Sequence, residues 1–201
     1  LGESRQAVDW AAGARPAALD FAWPDERPAT LGLSHQGEGR PWAFVQGRAA
    51  IPLASPVSAG FSITRTLTPV EQGRPGQWTP GDVARVRLEI EARSEHTWVV
   101  VDDPVPAGAS ILGGGLGRDS ALLTAAERRS GAAWPVFEER RFDAYRAYYE
   151  HLPAGRWTLE YSIRLNNPGR FALPATRVEA LYAAEVFAEL PNAPVAVEAA
   201  P

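Results

Sequence analysis

The chain has 201 residues, of which 45% are hydrophobic and 9% aromatic, so it can bury a sizeable core and wholesale disorder is excluded. Its formal net charge of −4 argues against a general nucleic-acid binder, and its lack of lysine excludes Schiff-base chemistry. The absence of cysteine excludes disulfides, thiol catalysis and thiolate metal sites within this sequence. The 18 glycines and 18 prolines, set among short apolar runs, favour an all-β fold.

The N-terminal part predicts a short set of strands bounded by proline and glycine, at residues 17–23, 29–33 and 42–51. Residues 51–60 have the composition of a linker, which predicts a domain boundary near Pro56. Three or four strands make a poor independent domain. We therefore expect residues 1–56 to complete a domain whose other strands lie elsewhere, or to pack against a neighbouring domain.

Alternating strands begin after this boundary. Residues 60–69 alternate apolar side chains with Ser and Thr, and residues 82–92 set Val86, Leu88 and Ile90 against charged side chains. One apolar and one wet face per strand is typical of antiparallel sheets packed as a sandwich. Residues 96–104 are apolar on both faces and predict a central strand ended by Asp103 and Pro104.

One helix is predicted, at residues 118–131, where Asp119 or Ser120 could cap the start and Gly131 the end. An extended surface loop is the alternative. The preceding residues 113–120, GGGLGRDS, invite comparison with a phosphate-binding loop. They lack the Lys-Ser/Thr pair of such loops, so a plain loop is the favoured interpretation.

The clearest strand covers residues 156–165, whose apolar face includes Trp157 and Tyr161 and predicts that both are core residues. Residues 144–152 share an apolar face, and the turn at residues 153–155 predicts a hairpin between the two strands. Later strands are expected around Phe171 and Leu173, and at residues 195–197. The stretch between them, residues 174–187, predicts an irregular loop.

Charged residues crowd residues 137–146, where carboxylates and arginines alternate closely: Glu138, Glu139, Asp143, Arg140, Arg141 and Arg146. Two carboxylates could serve as a glycosidase pair, but ion pairs or a solvated face are the favoured interpretation. Asp102 and Asp103 are expected to shape a turn before Pro104, with an oxygen-ligand calcium site as the alternative.

No catalytic residue, cofactor or metal site is predicted. His35, His96 and His151 lack the spacing of metal ligands, and no serine has the sequence context of a nucleophile. The seven tryptophans could form a sugar-stacking face, so a carbohydrate-binding or surface adhesion module is an alternative function.

Five long segments are similar to the C-terminal end of bacterial α2-macroglobulins. They follow one another in unbroken order over roughly residues 30–195, and they include WVVVDDPVPAGASILGGGLGRDS at 98–120 and YSIRLNNPGRFALPATRVEALYAAEVFAELPN at 161–192. The other three lie at residues 33–53, 60–73 and 81–92. Several matching strings in sequence are more specific than any single motif.

This resemblance implies a division of the chain and a non-enzymatic role. Residues 1–56 resemble the C-terminal part of a CUB-like β domain, and residues 57–201 resemble the terminal macroglobulin-like, receptor-binding-like β-sandwich. The family implies a periplasmic protease trap with a Cys-Gln thioester, which must lie elsewhere because this chain has no cysteine. The implied partners are the thioester domain and other domains of the parent, target proteases through the parent, and other envelope proteins. Nucleic acid and membrane insertion of this segment are not expected.

The resemblance also implies a role for one tyrosine. In RVEALYAAEVF, residues 177–187, it places Tyr182 against the thioester in the resting protein, as a shield. The alternative is that Tyr182, with Leu181 and Phe187, only caps the end of the sandwich. Leu181 and Ala184 stand where the family usually has Met and Pro, which bears on the stiffness of this segment.

Overall fold

The computed structural model of the chain describes residues 1, 4–9, 18–23, 30–48, 51–113 and 127–199. Two compact units divide it, residues 1–50 and residues 51–201. That the first resembles part of a CUB-like domain and the second a terminal macroglobulin-like domain, with the boundary near Pro56, stays a prediction.

The described residues of the first unit form no strand, so the strands predicted within 18–23, 30–33 and 42–48 are not found there. The reason lies in their side chains. Trp42 and Phe44, which alternate as a strand would require, expose 99% and 91% of their surface. A half-buried strand is stabilised by packing of its apolar face and by pairing with a neighbour, and the described part of this unit offers neither.

The second unit is built from β-strands in its described residues, and no helix occurs among them. The strands are β1 Val57–Ala59, β2 Phe61–Glu71, β3 Val83–Ala92, β4 His96–Pro104, β5 Ala109–Ile111, β6 Arg129–Ser130, β7 Phe137–Arg140, β8 Ala144–Leu152, β9 Gly155–Leu165, β10 Gly169–Phe171, β11 Thr176–Ala180, β12 Ala183–Leu190 and β13 Val195–Val197. No described helix is long and apolar enough to cross a membrane.

The strands form two main sheets and one small one. The first main sheet has the order β1-β12-β11-β4-β8-β7, and the second has the order β2-β3-β9-β5 with β6 also paired to β9. A small sheet pairs β10 with β13. Every ladder between these strands is antiparallel. The predicted all-β, antiparallel fold is confirmed.

The core lies between the two main sheets. Tyr145 on β8 stacks on Tyr161 on β9, with ring centroids 4.4 Å apart and planes 6° from parallel. Both rings are fully buried, as are Leu88 of β3 and Val99 of β4. Burying one such side chain stabilises the fold by roughly 1.5–3 kcal/mol. The predicted core positions of Trp157 and Tyr161 are confirmed, with 5% and 0% exposure.

The predicted hairpin between β8 and β9 is wrong. β8 pairs with β4 and β7, whereas β9 pairs with β3, β5 and β6, so the short connection at Pro153 and Ala154 crosses from one sheet to the other. Tyr145 and Tyr161 explain the crossing, because each faces the same core from its own sheet. A hairpin would have put both strands in one sheet.

The helix predicted at residues 118–131 is not found at residues 127–131, and its remaining residues lie within 114–126, outside the described residues. Arg129 and Ser130 form β6 and pair with Leu159 and Thr158 of β9. Gly131 follows with φ +114°, and a Cβ there would collide with the ring of Trp157. Pairing with β9 and close approach to Trp157 therefore exclude a helix at residues 129–131.

Candidate functional site

The segment around Tyr182 is a hairpin of β11 and β12, so the loop predicted for residues 174–187 is wrong as a loop, although part of it is irregular. β11 pairs with β4 on one side and β12 on the other, which satisfies its backbone groups along its length. The irregularity lies in β12 instead. Glu179 pairs with Phe187 while Ala180 pairs with Ala183, so residues 184–186 bulge out of the ladder.

Tyr182 occupies the tip of this hairpin. Leu181 and Tyr182 form the two-residue turn between the paired residues Ala180 and Ala183. Tyr182 is 82% exposed and Leu181 is 47% exposed. Tyr182 therefore does not cap the sandwich, and the capping alternative fails for this residue. The phenol stands where a group outside the sandwich can reach it.

Phe187, the third residue of the capping alternative, lies further along β12 and is half-buried. The guanidinium of Arg177 lies over its ring, 4.8 Å from the centroid. Arg177 also pairs with Glu179 at 2.7 Å and with Glu189. Phe187 thus belongs to the side of the hairpin, where ion pairs and a cation–π contact hold β11 against β12.

Trp98 on β4 is the neighbour of the turn that sequence reasoning missed. Its carbonyl accepts a hydrogen bond from the Leu181 N–H at 2.8 Å, and its side chain is 44% exposed. Its φ is +52°, a left-handed value that tryptophan rarely adopts. The sequence carries no signal for this conformation, because WVVV is an ordinary apolar strand pattern.

The predicted ion pairs of residues 137–146 are confirmed. Arg141 lies 3.4 Å from Glu139, and Arg146 lies 2.9 Å from Asp143. The hydrogen bond from Arg146 lowers the pKa of Asp143, against a smaller effect of burial. A glycosidase general acid needs the opposite shift, a raised carboxyl pKa.

Arg140 is the inward-facing member of this group. It lies 2.9 Å from Glu127 and 3.7 Å from Glu138, and its guanidinium carbon is 5.4 Å from the centroid of the Tyr145 ring. Burial opposes the charge, but the bond to Glu127 raises the pKa of Arg140. These contacts stabilise the outer strand β7. Glu138 is ion-paired with Arg140, and Glu139 is ion-paired with Arg141 and Arg146.

Asp103 does not shape a turn; it lies in β4 and is fully buried. Its carboxylate accepts hydrogen bonds from Arg65 Nε, at 3.0 and 3.1 Å to its two oxygens, from the Tyr161 hydroxyl and from the Thr176 hydroxyl. Burial and the charge of Asp103 raise the pKa of Tyr161 well above its ordinary value. Asp103 therefore ties β2 and β9 of one sheet to β4 and β11 of the other.

Asp102, beside it, also lies within β4 rather than in a turn, and its carboxylate binds Arg146 Nε at 2.7 Å. Within the described ranges, no group of three or more His, Asp and Glu side chains is placed to hold a metal ion. His96 contacts Phe61 and Ser94, and His151 lies 3.7 Å from Glu95.

Comparison with known proteins identifies one family. A family model described as the bacterial α2-macroglobulin MG10 domain matches residues 60–185. An α2-macroglobulin homolog of Nostoc sp. is 30% identical over 119 residues, 59% of this chain and 6% of the relative. An α2-macroglobulin of Xylella fastidiosa is 32% identical over 148 residues, 67% of this chain and 9% of the relative. The chain thus spans under a tenth of these curated relatives.

A solved structure has the same fold. Trypsin-activated α2-macroglobulin from Escherichia coli superposes with a TM-score of 0.58 and 21% identity, over 72% of this chain and 11% of that one. The residues matched by the family model include the whole of β2, β3, β4 and β9, which build the core, and the hairpin tip at Tyr182.

Proposed function

Because the chain belongs to the bacterial α2-macroglobulin family, we propose that it is the non-catalytic C-terminal part of a protease-trapping inhibitor. In this proposal it docks on the thioester domain of its own parent and shields the thioester until a protease activates the protein. The match over residues 60–185 supports the family role, and the lack of cysteine requires the thioester to lie elsewhere.

The proposed division of labour has its boundary at residue 56, a few residues after the boundary between the two compact units at residues 50 and 51. Residues 1–56 supply the C-terminal part of a CUB-like domain, and residues 57–201 form the terminal macroglobulin-like sandwich. Its partners are the thioester domain, other domains of the parent, and target proteases through the parent. We place the parent in the periplasm, where it also meets other envelope proteins.

The position of Tyr182 carries the shielding proposal. It is a phenol on a two-residue turn, 82% exposed, at the end of a hairpin whose first strand, β11, is paired on both sides. A thioester is lost when water or an amine attacks its carbonyl carbon. A phenol held against it excludes water and donates one hydrogen bond, so docking of this tip slows the attack.

The test uses the complete protein and measures methylamine incorporation in the absence of protease. Tyr182→Phe keeps the ring and removes one hydrogen bond, so we expect uptake about fivefold faster. Tyr182→Ala also removes the ring that excludes water and should be faster still. Phe142→Ala is the matched control, because Phe142 is an 85% exposed aromatic residue near the Pro104 end of β4, whereas the hairpin tip lies at the Trp98 end.

The order of the rates decides the outcome. Shielding is supported if methylamine uptake is faster in Tyr182→Phe than in the unsubstituted protein and faster again in Tyr182→Ala. Uptake in Phe142→Ala should be unchanged. Equal rates in all four proteins mean that Tyr182 does not protect the thioester. If methylamine uptake rises equally in Tyr182→Ala and Phe142→Ala, loss of any exposed aromatic side chain exposes the thioester. The assignment of shielding to Tyr182 then fails.

A further inference from the structure

We infer, on the premise of the function proposed above, that Trp98 is a positioning residue whose backbone carbonyl fixes the turn that presents Tyr182. The contact is direct. The Leu181 N–H donates to the Trp98 carbonyl at 2.8 Å, and Tyr182 is the next residue along the chain.

The backbone of Trp98 is unusual for its place. Among the described residues, every other position with clearly positive φ is a glycine, whereas Trp98 has φ +52° and is the third residue of β4. Regular pairing continues on both sides, with Thr97 opposite His151 and Val99 opposite Tyr149. The left-handed conformation is therefore confined to one residue, and its Cβ makes this unfavourable in a way that glycine avoids.

Trp98 lies where the pairing of β4 with β11 ends. β11 pairs with β4 up to Ala180, which lies opposite Val99, and regular pairing between these two strands stops there. The Trp98 carbonyl provides one further hydrogen bond, to the first residue of the turn. Leu181 is thus tied to β4 as well as to its own hairpin, and the direction of the following Tyr182 side chain is restricted.

A strained residue persists only where its surroundings hold it, and such residues cluster at functional positions. Here the neighbouring part of β4 is held firmly, because Val99 and Val101, which follow Trp98, are almost fully buried. The strain also lies at the place where β4 meets the candidate shield. A role for the indole itself would need a contact with Tyr182, whereas the carbonyl has its observed contact with Leu181.

Two substitutions separate the backbone from the indole. Trp98→Gly removes the indole and permits the left-handed conformation freely, whereas Trp98→Val removes the indole and strongly disfavours it. Both are made in the complete protein. Hydrogen exchange of the Leu181 amide is followed by mass spectrometry with single-residue fragmentation, with amides of β3 as an internal measure of global opening. Protease-independent methylamine uptake is measured alongside.

We expect Trp98→Val to speed exchange at Leu181 about fivefold, the effect of losing one hydrogen bond, without a matching change in β3. Methylamine uptake should rise in the same variant. In Trp98→Gly, exchange at Leu181 and methylamine uptake should stay near the values of the unsubstituted protein. This rescue by glycine distinguishes positioning through the carbonyl from a contribution of the indole.

Equal acceleration in both variants would overturn the inference in favour of the indole, and no change at Leu181 in Trp98→Val would overturn it outright. The two proposals fail separately. If Tyr182→Ala leaves methylamine uptake unchanged, the shielding function is refuted, while exchange at Leu181 still decides whether Trp98 holds the turn. If the β3 amides of Trp98→Val also exchange quickly, that variant has unfolded globally. Trp98→Gly then decides, and the inference requires that its Leu181 amide exchange at the rate of the unsubstituted protein.

Discussion

Replacing Asp103 by asparagine should destabilise the sandwich far more than the same replacement at the adjacent Asp102. The two residues share a strand and differ in surroundings. Asp103 is fully buried and binds Arg65, whose side chain is 9% exposed. Asp102 binds Arg146, and these side chains are 40% and 23% exposed.

The expected free energies follow from this burial. Removing one partner of a buried ion pair leaves the other charge uncompensated, which costs about 3–5 kcal/mol. The hydroxyls of Tyr161 and Thr176 also donate to Asp103, and an asparagine amide cannot accept from all three donors at once. A partly exposed pair contributes about 0.2–1 kcal/mol, so Asp102→Asn should change the free energy of unfolding by no more than that.

The assay is guanidinium denaturation followed by tryptophan fluorescence, to which the buried Trp157 contributes, with the unsubstituted protein and both variants compared at one pH. A third variant tests the cause. Arg65→Met combined with Asp103→Asn leaves no buried unpaired charge and should be more stable than Asp103→Asn alone. A free energy of unfolding for Asp103→Asn within about 1 kcal/mol of Asp102→Asn would refute the assignment of Asp103 as the buried hub.

Two further predictions concern the sandwich. Gly60→Ala should destabilise it by more than the roughly 1–2 kcal/mol of a left-handed alanine, because the new Cβ would also lie 2.7 Å from Val186 Cγ1. Gly81→Ala, with φ +97° and nothing within 4 Å, is the control that bears the backbone cost alone, and equal losses on thermal unfolding would disprove the clash. Burial opposes ionisation of Asp82, but two backbone N–H groups outweigh it and lower its pKa, so its contribution to stability is present above about pH 4 and lost as pH falls further. The denaturation midpoint should therefore differ less between pH 6 and pH 3 in Asp82→Asn than in the unsubstituted protein. An unchanged difference between the two midpoints would contradict this.

Local patterns in the sequence were sufficient for most of the strands in the second unit. The alternation of residues 82–92 and 156–165 predicted β3 and β9 and the apolar face that each buries, because side chains alternate between the faces of a strand whatever its partners are. The other face of β9 was expected to be solvated, but Glu160 and Ser162 on it are buried as well. The same patterns did not predict partners. β8 and β9 looked like a hairpin because only a short turn separates them, yet they lie in opposite sheets.

The candidate site divides in the same way. The resemblance of residues 177–187 singled out Tyr182 from the sequence, but the tight turn and the 82% exposure of its side chain depend on the pairing of β11 with both β4 and β12. Trp98 could not be found beforehand, because its φ of +52° leaves no trace in an ordinary apolar strand pattern.

What the sequence determined by itself is the set of properties that one strand carries alone: its apolar face, its bounding turns, and the exclusion of cysteine and lysine chemistry. The tertiary structure decided which strands meet, and so it placed Asp103 among donors from both sheets and Trp98 beside the Tyr182 turn. The physical reason is that burial and hydrogen bonding between distant segments are set by the whole packing, and no local pattern records them.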